Sequence, residues 1–544
     1  MKKTSMMMLF MMIPVAASIL SGCSGVVVAK ESDNVIVDAG SVEYFDNSED
    51  GGHAIEVDGE TREYRNGRVT KTGDSEGDEA DFYGENAAVF ATNGAQLTLS
   101  EMDITSDGTH ANAVFSYGKG TVVDISDSTI STTGNCSGGL MTTGGGTMNA
   151  SDLRIHTTGN SSAAIRSDRG GGVVTVTGGE YETEGKGSPA VYSTADITVN
   201  DAVLRSGSSE GVVVEGKNSV ALNNVTLYAD HNQHNSNKSD HFNAVMIYQS
   251  MSGDADEGLS GFSATGGSIT NANGDVFFVN NTATDITLDG VEITNNGDGV
   301  FLRAEAAGWG NEGSNGGKVN LTASGQQIDG DMIVDEVSVL NLYMKDGSIF
   351  SGAVNPDGSA GEVYVELTDG AKWVLTNDSY ISALTCDADS IDLNGHNLYV
   401  DGKAYEKGAS SGTAIEIEVN EGNGSKGDMP APPDGEMKKP EDGGKTPPNG
   451  EMKKPEDGGK TPPNGEMKKP EDGGKTPPNG DMKKPEDGGK TPPDGEMKKP
   501  EDGGKTPPDG EMKKPEGGRK TPSNGEKKKP GDGIEKKQKD DTKT

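Results

Sequence analysis

A pattern of apolar residues, apolar-x-apolar-x-x-apolar-x-apolar, returns about every 25 residues along this chain and constrains its fold more than any other feature. Clear copies are Leu97/Leu99/Met102/Ile104, Ile197/Val199/Ala202/Leu204, Val220/Leu222/Val225/Leu227 and Ile286/Leu288/Val291/Ile293. Weaker copies lie between them at Val123/Ile125/Ile130, Met148/Ala150/Leu153/Ile155 and Val174/Val176/Tyr181. Alternation within each half means a strand with one buried face, and the two-residue break separates two such strands. One unit cannot bury that face alone, so the units must stack into a solenoid.

A third strand precedes each copy: Ala88-Val89-Phe90, Ala113-Val114-Phe115, Gly139-Leu140-Met141, Ala164-Ile165-Arg166, Ala190-Val191-Tyr192 and Val212-Val213-Val214. Three short strands per coil, joined by Gly, Asn, Asp and Ser turns, describe an all-β parallel β-helix. About a dozen coils at about 4.8 Å each give a rod on the order of 60 Å long. Alternation puts Val89, Val114, Leu140, Ile165, Val191 and Val213 on one face of the third strand. Phe90, Phe115, Met141, Arg166, Tyr192 and Val214 take the other. Arg166 resists burial, so the second column is read as outward and as an exposed ladder of contact residues.

On these strands and turns the chain resembles the right-handed, pectate-lyase-like β-helix superfamily, and within it the adhesin-like surface proteins. The resemblance covers about residues 85 to 405 and implies a right-handed coil. It implies no activity by itself. The hydrolases of that superfamily carry Gly-His-Gly and Arg-Ile-Lys signatures; here Gly395-His396-Asn397 and Arg154-Ile155-His156 match neither. The lyases hold Ca²⁺ on aspartates near a basic residue. Asp168 beside Arg166 and Arg169 is the nearest approximation, and it reads more simply as a surface ion cluster.

The ends differ from the middle. Lys2, Lys3 and the apolar stretch Met6 to Leu20 form a secretion signal over residues 1–22. It closes on Leu20-Ser21-Gly22-Cys23, which resembles a bacterial lipobox and implies lipidation of Cys23 and a membrane anchor through that lipid. A linker, 23–34, and a more acidic N-terminal cap region, 35–84, lead into the β-helix and its C-terminal cap, 85–420. From Pro432 a 15-residue unit, PPDGEMKKPEDGGKT, recurs at Pro447, Pro462, Pro477, Pro492 and Pro507, with a decayed copy at Pro522. Residues 421–544 offer too little apolar surface to offset their ordering entropy, so a disordered tail is expected there, extending from the distal end of the rod.

Of 87 acidic residues, 26 lie from Gly427 onward, as do 26 of the 48 basic ones. That leaves 61 acidic against 22 basic residues before the tail, so the whole net charge of −39 belongs to the first 426 residues. Such a surface repels nucleic acid and excludes it as a partner. Cys136 and Cys386 sit about nine coils apart, roughly 40 Å, and cannot pair within one chain.

Two loops interrupt the repeat. Asp230 to Phe242 carries His231, His234 and His241, whose imidazoles suit Zn²⁺. Nearby Asp254, Asp256 and Glu257 offer oxygen ligands for Ca²⁺. Neither group sits on an element that fixes its geometry, so an exposed polar loop and an acidic turn are the simpler readings, and no cofactor is required. The second loop, Ala304 to Lys318, holds Trp309 among glycines beside Arg303 and Glu305. A ring standing clear of a loop suits a sugar face. Candidate ligand residues are therefore Trp309, Arg303, Phe90, Phe115 and Tyr192. The expected function is a cell-surface-anchored, non-catalytic, adhesin-like lipoprotein binding polysaccharide or glycoprotein. A β-helical polysaccharide lyase or glycoside hydrolase and a structural envelope protein are the alternatives.

Overall fold

The repeat folds as its spacing predicts. In the copy at Leu97, one strand spans Gln96–Ser100 and the next Asp103–Ser106. Between them Glu101 takes φ 55°, and the same corner recurs at Asp127, Asp152, Asp201 and Asn224 with φ from 49° to 54°. One left-handed residue turns the chain sharply enough to start a new sheet, which is why Asp, Asn and Gly fill these corners.

A computed structural model describes residues 42–359 and 361–420. The signal segment, Cys23 and the repeat tail lie outside them. The described residues fold into a parallel β-helix. Strand i pairs with strand i+3, giving sheet A of 10 strands, sheet B of 11 and sheet C of 13. The longest sheet matches the dozen coils read from the repeat. Towards the C-terminal end a four-stranded sheet, running from Gln327–Asp329 to Ile391–Asp392, joins them. The pairing is parallel until the closing hairpin of Leu398–Val400 and Lys403–Ala404.

Registers are even. Leu99, Ile125, Ala150, Val176, Val199 and Leu222 stack inside sheet C, and Val69, Ile104, Ile130, Ile155, Tyr181 and Leu204 inside sheet A. All are at most 4 % exposed and belong to one core running along the rod. Each such side chain contributes roughly 1.5–3 kcal/mol on burial.

The corner between sheets A and B is a ladder of polar groups. Thr132, Thr157 and Thr183 each donate a hydroxyl hydrogen bond to the carbonyl of Ser137, Ser162 or Ser188, at 2.6 Å. Those serines donate in turn to Gly108, Gly134 and Gly159 of the preceding coil. The glycines must be glycines. A Cβ on Gly134 would stand 1.9 Å from the Gly108 carbonyl, and one on Gly159 1.8 Å from that of Gly134.

The region read as an N-terminal cap supplies paired strands of the same three sheets: Glu43–Asn47 and Gly67–Lys71, Ile55–Asp58, and Thr61–Arg65. It also supplies the helix α1, Asp78–Tyr83. This helix lies against the outer side of sheet B, since Thr143 donates to the Phe82 carbonyl at 2.7 Å and Phe90 and Phe115 crowd Gly84.

The last described residues do not leave the distal end outward. Gly412 donates its backbone N–H to Thr385, Ile415 exchanges two hydrogen bonds with the Asn341 side chain, and Lys318 donates to the Glu418 carbonyl. Thr385, Asn341 and Lys318 belong to successively earlier strands of sheet C. The segment 412–418 therefore runs back along the rod over at least four strands; the expected tail at 421–544 lies outside the described residues.

Candidate functional site

The outward column of sheet B runs Phe90, Phe115, Met141, Arg166, Tyr192, Val213, Met246, Phe278 and Arg303. Two corrections follow. Val213, not Val214, follows Tyr192, and Val212 continues the inward column from Val191. The column also faces away from the core without being exposed. Phe90 is 7 % exposed, and Phe115, Met141 and Phe278 are at 0 %. Separate segments cover it, and they divide it into three parts.

Over the first coils, α1 and the adjoining turn cover Phe90, Phe115 and Met141, which form a small second core with Ala87, Tyr117 and Tyr83. Phe90 meets Phe115 edge-on at 6.0 Å between centroids and stacks on His53 at 4.6 Å. These aromatic rings are structural and offer no ligand surface.

In the middle, Arg166 and Asp168 form a buried ion pair, Nη2 to Oδ2 2.6 Å, with Asp168 4 % exposed. Burial pushes the Asp168 carboxyl above its ordinary range while Arg166 opposes the rise; at Arg166 burial acts downward, but the Asp168 carboxylate outweighs it and Arg166 ends well above its ordinary range. Arg169 reaches out to Asp254 at 2.9 Å and Asp78 at 3.1 Å and lies 3.7 Å over the Phe82 ring. This cluster pins α1 and the 249–258 segment to the sheet, so the expected surface ion cluster is largely interior. Asp254 is engaged there, and Asp256 pairs with Lys217 at 2.8 Å. The structure thus holds Asp254 and Asp256 on different cations and does not gather them with Glu257 as a Ca²⁺ cage.

Over the later coils the two interrupting loops meet. Gly308 donates to the Lys238 carbonyl at 2.7 Å, and Asn315 braces the second loop by donating to Ala307 and Trp309 carbonyls, both at 2.7 Å. Between the loops and the sheet lies an open cleft of about 260 Å³. Tyr192, Val213, Met246 and Tyr248 form its floor; Trp309, Lys238 and the imidazoles of His231, His234 and His241 form its walls. Trp309 is half-buried and meets Tyr248 edge-on at 5.2 Å, with the Lys238 ammonium 5.8 Å from its centroid. It leans on the wall of the helix and lines the cleft, where the sequence suggested a ring standing clear.

The floor is fixed by Glu215. Both tyrosine hydroxyls and Ser250 donate to its carboxylate, that of Tyr248 at 3.1 Å. Burial pushes Glu215 above the usual carboxylate range, and burial beside that acid drives both tyrosines far upward, so neither phenol is a base at neutral pH.

The histidines line one cleft, with the His231 and His234 rings 5.7 Å apart, but each is engaged by a different partner. His231 accepts from the Asn243 backbone N–H at 3.2 Å, His234 stacks on Phe242 at 4.1 Å, and His241 pairs with Glu305 at 2.8 Å, which raises its pKa. Arg303 grips Asp275 through two hydrogen bonds, 2.7 and 3.2 Å, and reaches Glu305 at 3.5 Å. Burial lifts Asp275 to about 6 while Arg303 opposes the rise. Arg303 therefore orders the loop from beneath and is not free for a ligand. Of the five expected ligand residues, the cleft brings together Trp309 and Tyr192. Tyr248, Lys238 and Glu210 are the residues that sequence reasoning missed.

Among the described residues, no helix is long and apolar enough to cross a membrane. Compared with known proteins, the chain matches no family model and no curated protein.

Proposed function

We propose that this chain is a surface-anchored binding protein of the adhesin-like, pectate-lyase-like kind, and that its cleft between Trp309 and Tyr192 holds a sugar unit of a polysaccharide or glycoprotein. One observation carries the reading. The two segments that break the repeat converge over the same coils, and they set Trp309 against Tyr248 and Tyr192 of sheet B around an open groove rimmed by imidazoles, Lys238 and Asn235. Aromatic faces take the C–H side of a sugar, and the rim supplies donors and acceptors for its hydroxyls. The volume is below the about 300 Å³ where drug-sized sites begin, so one ring or side group enters and the rest of a chain stays outside.

Most glycoside hydrolases flank the scissile bond with two carboxyl groups. Glu210 is the carboxylate among the lining residues, and the well-buried Glu215 is spent on the tyrosines beneath. That supports binding over catalysis. A glycan array probed with the full chain, with product analysis of the bound glycans, tests this. Retained binding without cleavage agrees; new reducing ends or unsaturated products would instead establish the lyase or hydrolase alternative.

The anchor is part of the same proposal. Lipidation of Cys23 would hold the rod on the exported face of a bacterial membrane. Cys23→Ala is expected to move the protein from the membrane to the soluble fraction; retention of the variant in the membrane with its signal removed would refute lipid anchoring.

A further inference from the structure

At the corner between sheets A and B, one position per coil is left-handed: His110 (φ 53°), Cys136 (φ 54°), Ser161 (φ 55°) and Gly187 (φ 63°). These residues stack in register. The backbone N–H of His110 bonds the Asn135 carbonyl, that of Cys136 the Asn160 carbonyl and that of Ser161 the Lys186 carbonyl, at 2.8–3.0 Å. Glycine needs no special reason there, and serine at Ser161 shows that the corner accepts a small polar side chain. A cysteine in this conformation is uncommon, and directly above it stands a histidine.

The third group comes from a different element. Asp81 on α1 reaches the His110 Nδ1 at 2.6 Å. One carboxylate oxygen, one imidazole nitrogen and the Cys136 sulfur then lie within 4.8 Å of one another, all half-buried. We propose that Asp81, His110 and Cys136 form a three-ligand site for a borderline divalent cation of the Zn²⁺ class, with a fourth position open to a ligand from solvent.

The donor set fits that class: carboxylate, imidazole and thiolate in a tetrahedral shell with one place left over. A bound ion would replace the proton between Asp81 and His110 and widen that contact to about 3.4 Å, set by metal–ligand bonds of about 2.0–2.2 Å. It would also supply a charge the thiol lacks. Burial, and the Asp81 carboxylate after it, push the Cys136 thiol above its ordinary pKa, so the protein alone keeps it protonated; a cation in the site would favour the thiolate. The ion would clamp α1 onto the turns of two successive coils and so hold the cover over Phe90 and Phe115. This site is independent of the glycan cleft.

The test uses the full chain carrying Cys23→Ser, which leaves Cys136 and Cys386 as its thiols. Co²⁺ is added and the near-ultraviolet thiolate-to-cobalt charge-transfer band is read. We expect a saturable band at one ion per chain, displaced by Zn²⁺ and lost in Cys136→Ser. His110→Asn and Asp81→Asn should weaken binding at least tenfold. Serine already occupies the equivalent position at Ser161, and asparagine tolerates the left-handed backbone, so these variants preserve the corner. Cys386→Ser should bind as the parent does, since Cys386 is buried against Tyr405 and Gly408. In the parent, Zn²⁺ should also slow alkylation of Cys136. Absence of the band, its survival in Cys136→Ser, its loss with Cys386→Ser, or unchanged binding in His110→Asn and Asp81→Asn would each overturn the proposal.

Discussion

His53 shows how a single residue ties the rod to pH. Its Nδ1–H donates to the Ala87 carbonyl at 2.8 Å while its ring stacks on Phe90. Burial lowers its pKa to about 4, against the weaker opposing effect of that hydrogen bond. The folded state therefore binds a proton less readily than the unfolded chain. Stability from this residue is complete above about pH 6.5 and is lost as pH falls towards 4. The expected loss is on the order of 3 kcal/mol. Denaturant titrations from pH 7.5 to 4 should show a shallower acid decline in His53→Gln than in the parent. Asp275 acts with the opposite sign, since burial raises its pKa to about 6, so the comparison must be between variant and parent rather than on the parent alone. Equal slopes would mean that folding does not lower the pKa of His53 and that burial does not hold its ring neutral.

At the scale of elements, two columns make contrasting demands. The glycine column at the corner of sheets A and B has no room for a methyl group. Gly134→Ala should cost roughly 1–3 kcal/mol, read as a fall in thermal midpoint, because the backbones of adjacent coils would have to part. Gly94, with nothing within 4 Å of its Cβ position, has that space, although its φ of 81° still strains a side chain. The outward column of sheet B is buried under its covers. Phe115→Asp should therefore unfold the early coils about as severely as Leu99→Asp, each placing an unpaired charge among apolar groups. If Phe115→Asp is tolerated, α1 does not cover that column.

The repeat made the strands, corners and inward columns of sheets A and C readable, because alternation fixes which side chains turn inward. It failed in two instructive places. Val212-Val213-Val214 has no alternation, and the coil from Tyr192 to Val213 is shorter than its neighbours, so nothing local fixed the phase of that strand. The covers over sheet B come from α1 and from two loops far away in sequence, and no periodic signal reports what a distant segment packs against. The same separation hid the convergence of Asp81, His110 and Cys136, though His110 and Cys136 share one position of the repeat and an alignment of corners would have placed them together. Trp309 was legible as unusual; its partners Tyr248 and Lys238 were not.

For the molecule as a whole, the rod is a continuous core whose outer face changes where the repeat is broken. The interior is one continuous core, largely aliphatic over the early coils and joined by the buried rings of Phe262, Phe277, Phe301, Phe350 and Trp373 over the later ones. What differs outside is the face of sheet B, packed by α1 over the early coils, tied by ions in the middle and opened into a cleft over the later coils. On the proposed function, this cleft, and not the covered aromatic column, receives the glycan. The direct measurement is the affinity of the purified chain for the strongest glycan found on the array, in the parent, Trp309→Ala and Asp168→Asn. Trp309→Ala should weaken binding by roughly 1–3 kcal/mol, about 5- to 150-fold, with its thermal midpoint little changed. Asp168→Asn should lower stability and leave the affinity of the folded protein as it was. Parent-like affinity in Trp309→Ala, or a glycan cleaved by the parent and spared by one charged substitution, would contradict glycan binding in this cleft.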